Sequence, residues 1–105
     1  MKVIKFGGSS VGTAENIKRV KDIIIRQSDD VIVVISALDG ITDRICRAAK
    51  MASEGDDNFN DELKSIETYH QEVIKSLFNG NLPVLEIVNE LLDELKQILT
   101  GIKLV

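Results

Sequence analysis

With 105 residues, 44% of them hydrophobic, 29% charged and one proline, the chain has the composition of a globular protein of at most one domain. A net charge of −4 without a dense basic patch excludes a nucleic-acid partner, and the longest purely apolar run, Val31 to Ile35, is far too short to cross a membrane. The single Cys46 excludes an internal disulfide and fits a reducing cytoplasm, and no signal peptide is visible.

Lys2 to Phe6 reads as a short strand. Thr13 is placed to cap a helix that runs to about Gln27, with Ile17, Val20, Ile23 and Ile24 at helical spacing. After the polar break Ser28-Asp29-Asp30, Val31 to Ser36 is a second strand without polar alternation. Such runs belong to parallel sheets covered on both faces. Strand, helix and strand in this order form a right-handed βαβ unit. Ala37 to Ile41 is the loop at the carboxyl end of the second strand. Thr42 is expected to cap a helix through Ile45, Ala48, Ala49 and Ala52 to Glu54. Gly55 to Asn58 is a turn. A long amphipathic helix is expected from about Phe59 to Phe78, stopped at Asn79-Gly80-Asn81, with Gly80 supplying a left-handed cap. Pro83 suits the first turn of the last helix. That helix carries Leu85, Val88, Leu91, Leu92, Leu95, Ile98 and Leu99 and is expected to end before Gly101. The fold class is therefore α/β: a βαβ unit followed by a helical pair, with an incomplete parallel sheet.

The chemistry is concentrated in the first residues. Lys5, near the end of the first strand, is followed by Phe6 and then by Gly7, Gly8, Ser9 and Ser10. Each element suits phosphate. Glycines let backbone N–H groups approach an oxyanion without interference from a Cβ. A turn of successive N–H groups forms an anion-binding concavity, and the following helix points its positive end the same way. Lys5 adds a mobile point charge able to follow a phosphoryl group during transfer. The order of residues is neither a Walker A loop nor a Rossmann glycine fingerprint. A plain strand-to-helix turn remains the alternative for Gly-Gly-Ser-Ser alone.

The longer run Lys5-Phe6-Gly7-Gly8-Ser9-Ser10-Val11-Gly12 closely resembles the N-terminal signature of the aspartate kinases. A second segment, Val33 to Asp43, resembles that family's second strand and the loop after it. The resemblance implies the N-terminal portion of the amino acid kinase fold and a parent enzyme that moves the γ-phosphoryl of ATP, with Mg²⁺, to the side-chain carboxylate of L-aspartate. The product would be 4-phospho-L-aspartate, which opens lysine, threonine and methionine synthesis. By resemblance, Lys5 is the catalytic cation. Gly7, Gly8, Ser9 and Ser10 line the phosphate path together with Lys5. Ser36, Ala37 and Thr42 match positions that help hold aspartate. No residue is assigned as a metal ligand. A homo-oligomer is expected. The helical hairpin is also similar to aspartate kinases fused to homoserine dehydrogenase, and the choice between single and fused parents stays open.

The resemblance covers residues 1–105 as the N-terminal part of a longer kinase domain, so the chain is expected to be a fragment, inactive by itself and prone to self-association. The family's Phe-Gly-Glu-Arg glutamate, its later substrate-gripping arginine and its adenine and ribose site are expected beyond Val105. Asp39 departs from the family, where a small residue is commoner, and is expected to face solvent. Two other readings remain: a non-catalytic association or anion-binding module, and a kinase for another amino acid carboxylate. His70 has no ligand partner at metal-binding spacing and reads as a surface or boundary residue. Cys46 reads as a small core residue, Tyr69 as boundary packing, and the acidic run from Glu54 to Glu62 as a solvated loop with helix N-terminal charges.

Overall fold

The computed structural model describes residues 1–79 and 82–105. The chain divides into two compact units, Met1–Thr42 and Asp43–Val105.

The first unit is the βαβ element. Strand β1 (Lys2–Phe6) leads through a 3-10 turn (Gly8–Val11) into helix α1 (Ala14–Ile25) and returns as strand β2 (Val31–Ile35). The two strands form a parallel sheet in which Lys2 pairs with Val31 and Phe6 with Ile35. Thr13 caps α1 as its hydroxyl predicts: its Oγ1 accepts the backbone N–H of Asn16 at 3.1 Å, satisfying one of the donors that a helix start leaves free. The core is small. Phe6, Val11 and Val20 are buried, with Ile4, Ile17, Ile24, Val33 and Leu38 packed around them. Ile23 falls off this stripe and is 42% exposed. In a parallel pair, residues opposite each other share a face. Ile4 and Val33 thus point to the core, whereas Val3, Ile32 and Val34 are 66%, 47% and 45% exposed. The apolar run of β2 is open on one face and only partly covered on the other, where Ile35 is 62% exposed. β2 ends at Ile35, so Ser36 belongs to the loop, although its N–H still reaches the Phe6 carbonyl at 3.2 Å.

Helix α2 (Ile41–Ser53) starts one residue before the expected cap. Thr42 lies inside the first turn rather than at its mouth. The reason is local: Ile41 is 2% exposed and its N–H bonds the Leu38 carbonyl, so the turn closes around Ile41.

The second unit contains most of α2, then α3 (Phe59–Phe78) and α4 (Leu82–Leu104). Ala48 and Ala52 of α2, Phe59 and Leu63 of α3 and Leu99 of α4 form its core, with Leu95 and Ile102 against them. The expected pair of helices is thus a three-helix packing, which Ala48 and Ala52 of α2 join through the shared core. Cys46 is exposed, which corrects its assignment to the core. It lies two residues, about 200°, around the helix from Ala48. α2 ends in a left-handed Gly55 with φ 74°. There the Asp56 and Gly55 N–H groups bond the Met51 and Ala52 carbonyls, the paired bonds of a Schellman motif. The left-handed cap assigned to Gly80 lies outside the described residues. Asn79 itself is left-handed, φ 44°, with its N–H on the Lys75 carbonyl. α4 does not stop before Gly101. It continues to Leu104, with Ile102 packed on the core and Lys103 paired with Asp57. Those contacts outweigh the roughly 1 kcal/mol penalty of a helical glycine.

Tyr69 and His70 are boundary residues, as read. Arg44 lies 5.6 Å from the Tyr69 ring centroid, and His70 Nδ1 is 2.7 Å from the Ile66 carbonyl. No described helix is long and apolar enough to cross a membrane.

Candidate phosphate and carboxylate site

The strand delivers Lys5 and the turn follows at once. Lys5 is exposed, opposite Val34 in the sheet register, and forms no ion pair among the described residues. Gly7 begins the turn with φ −78° and ψ 177°, a conformation open to any residue. A Cβ built on Gly7 would meet nothing within 4 Å. Neither backbone nor packing within the chain therefore requires glycine at this position. What a glycine adds there is open access to the backbone from outside. The turn closes with the Ser10 N–H on the Gly7 carbonyl at 3.1 Å.

The two motifs meet at Gly8. A Cβ there would lie 3.5 Å from Ser36 Oγ, 3.5 Å from Asp39 Cα and 3.6 Å from Asp39 Oδ1. Gly12 is tighter still, because its Cβ would sit 2.8 Å from Asp39 Cβ. This glycine is required by close approach of the second loop. Ser36 donates its hydroxyl to the Ala37 carbonyl at 2.9 Å, which fixes the start of that loop. Gly8 and Ser36 are thus brought together, Ala37 follows in the same loop, and Thr42 is exposed in the first turn of α2. Asp39 is exposed as expected, but it does not simply face water: its side chain lies over Gly8 and Gly12.

Asn16 went unnoticed in the sequence. Its Nδ2 donates to the Ser9 carbonyl at 3.1 Å, and its Oδ1 accepts from Arg19 Nη1 at 3.2 Å. It ties the turn to α1. The available signal was a polar residue three positions after the Thr13 cap. On the α1 side of the turn lies an open cavity of about 310 Å³, polar at Ser9, Ser10, Asn16 and Arg19 and apolar at Phe6 and Ile23. Neither Lys5 nor the second loop lines it, although Ser9 and Ser10 of the turn do. Among the described residues no group of three or more His, Cys, Asp or Glu side chains is arranged to hold a metal ion.

A strand-borne lysine, a glycine turn and a second loop packed on that turn form one connected arrangement. The model of the amino acid kinase family matches residues 1–101. The chain belongs to the amino acid kinase family. Its two-stranded parallel sheet and four α-helices are the N-terminal part of that family's α/β fold. Similar proteins include aspartokinase 1, chloroplastic, of Arabidopsis thaliana, 36% identical over 95% of this chain and 18% of its own length. The aspartokinase of Chlamydia pneumoniae is 40% identical over 71% of this chain and 16% of its own. The bifunctional aspartokinase/homoserine dehydrogenase 1, chloroplastic, of Zea mays is 35% identical over 74% of this chain and 9% of its own. The chain thus spans less than a fifth of the length of each of these relatives.

Proposed function

We propose that this amino acid kinase chain carries the phosphate-facing part of an aspartate kinase, which transfers the γ-phosphoryl of ATP to the side-chain carboxylate of L-aspartate for lysine and threonine synthesis. Lys5 neutralises the transferring phosphoryl group. The N–H groups of Gly7 and Gly8, with Ser9 and Ser10, cradle the phosphates. Ser36, Ala37 and Thr42 bind aspartate. Mg²⁺ accompanies the nucleotide phosphates and supplies charge neutralisation there. The carrying observation is the packing of Gly8 against Ser36 and Asp39. It joins the phosphate motif to the aspartate motif at the carboxyl ends of neighbouring parallel strands, where ligands of open α/β sheets bind. The resemblance of both motifs to aspartate kinases, and the aspartokinase relatives, support the choice of acceptor.

Phosphoryl transfer depends on holding metal, both substrates and the charge clamps together. This chain by itself is therefore expected to release no ADP in response to aspartate. Amide NMR shifts with Mg²⁺-ATP and with aspartate test the reading directly. ATP is expected to move Gly7, Gly8, Ser9 and Ser10, and aspartate to move Ser36, Ala37 and Thr42. Shifts confined to other residues would overturn it. A cytoplasmic setting and a homo-oligomer belong to the same proposal. The latter is supported by exposed Ile87, Leu91 and Ile98 on α4, each at least 58% exposed, a placement that favours association.

A further inference from the structure

We propose that Asn16 is a positioning residue of the phosphate turn: its side-chain amide holds the Ser9 carbonyl on α1 and so keeps the turn set for an anion before one arrives. The inference rests on the reading of the glycine turn as a phosphate site and extends it to a helix residue that reading does not use.

The Ser9–Ser10 peptide unit is pinned at both ends. Its N–H, on Ser10, bonds the Gly7 carbonyl at 3.1 Å. Its C=O, on Ser9, accepts from Asn16 Nδ2 at 3.1 Å. Asn16 is itself held on two sides: its Oδ1 accepts from Arg19 Nη1 at 3.2 Å, and its backbone N–H is bonded by Thr13 Oγ1 at 3.1 Å. Arg19 is paired in turn with Glu15 at 3.1 Å. A guanidinium only donates and a carbonyl only accepts, so the two neighbours allow one orientation of the amide. Alanine at this position would leave the Ser9 carbonyl without its side-chain donor. The peptide unit is planar, with N–H and C=O on opposite sides, so a rotation that frees the oxygen also turns the N–H. The turn starts with two glycines, which have the most backbone freedom to lose. An oxygen swung toward a phosphate would repel it, and a loose turn must be ordered at the moment of binding. Donors fixed beforehand avoid both costs. Asn16 acts here through the turn and touches no ligand.

The test is calorimetric titration with Mg²⁺-ATP of the unaltered chain, Asn16→Ala, Asn16→Gln and Thr13→Ala, with the urea midpoint and the Ser9 carbonyl-carbon NMR shift of each. Asn16→Ala is expected to bind about fivefold more weakly, the worth of one hydrogen bond, and to move the Ser9 carbonyl shift. Its urea midpoint is expected to stay near that of the unaltered chain, because the better helix propensity of alanine offsets the lost bond. Asn16→Gln keeps the amide on a longer stem and is expected to recover part of the affinity. Thr13→Ala loosens the start of α1 but leaves the Ser9 bond, so it is expected to lower the urea midpoint and bind ATP like the unaltered chain. Affinity that follows stability across the four proteins would reduce Asn16 to a structural role and overturn the proposal. An unchanged affinity in Asn16→Ala would also overturn it, while ATP shifts at the Gly7 and Gly8 amides would leave the phosphate reading intact. If the unaltered chain binds no ATP, or binds it without shifting those amides, the phosphate reading falls and the inference with it.

Discussion

The two units solve the problem of burial in opposite ways. Asp43–Val105 is built from helices whose apolar stripes meet one another. Ala48, Ala52, Phe59, Ile66 and Leu99 are each 2% exposed or less. Met1–Thr42 is built from two parallel strands and one helix, and its core cluster rests on Phe6, Val11 and Val20, while Val3, Ile32 and Val34 stay open. A helix satisfies its own backbone and needs only a neighbour for one stripe. A strand in a parallel sheet needs partners at its edges and cover on both faces. All the residues assigned to chemistry lie in the sparsely packed unit. The better packed unit carries no motif.

Phe59→Ala should give the largest effect. It empties a fully packed position among Ala48, Ala52, Leu63 and Leu99 and should remove about 3–5 kcal/mol of stability. Urea unfolding followed by helical circular dichroism checks it, and a loss below that of the first-unit variants would erase the contrast between the units. Gly12→Ala should come next, at about 1–3 kcal/mol, because its Cβ collides with Asp39 and the overpacking has little room to relax. Combining it with Asp39→Gly should recover part of that loss, and strict additivity would show that the two motifs are not coupled there.

Thr13→Ala removes a cap bond at 3.1 Å and should cost about 1 kcal/mol, read as a lower urea midpoint and faster amide exchange at Asn16. The smallest change in stability should be at Gly7. Its backbone is extended and its surroundings are open, so Gly7→Ala should be neutral or stabilise by about 0.4–1 kcal/mol through the unfolded chain. It should nevertheless weaken Mg²⁺-ATP binding severalfold. A variant that is more stable and binds equally well would show that this glycine serves only the fold.

Much was legible in the amino acids themselves. Helical spacing and the Thr13 hydroxyl placed α1. The apolar run placed β2. Period and turn residues placed α3, and Gly7-Gly8 marked the turn after β1. These are local signals, carried by residues within a few positions of one another. Other features depended on contacts between distant segments. Gly101 reads as a helix end, but Ile102 packs on the core and Lys103 pairs with Asp57, so the helix runs on. Cys46 reads as core beside its alanines, but the stripe that meets α3 and α4 passes through Ala48 and Ala52 instead. Asp39 reads as a charge turned to water. Only the fold lays its Cβ against Gly12 and its carboxylate beside Gly8, because a parallel sheet brings the ends of β1 and β2 together across a crossover that no short stretch of sequence records. The residue types on the glycine turn were thus settled by the sequence. The charge that stands across from them was settled by the tertiary structure.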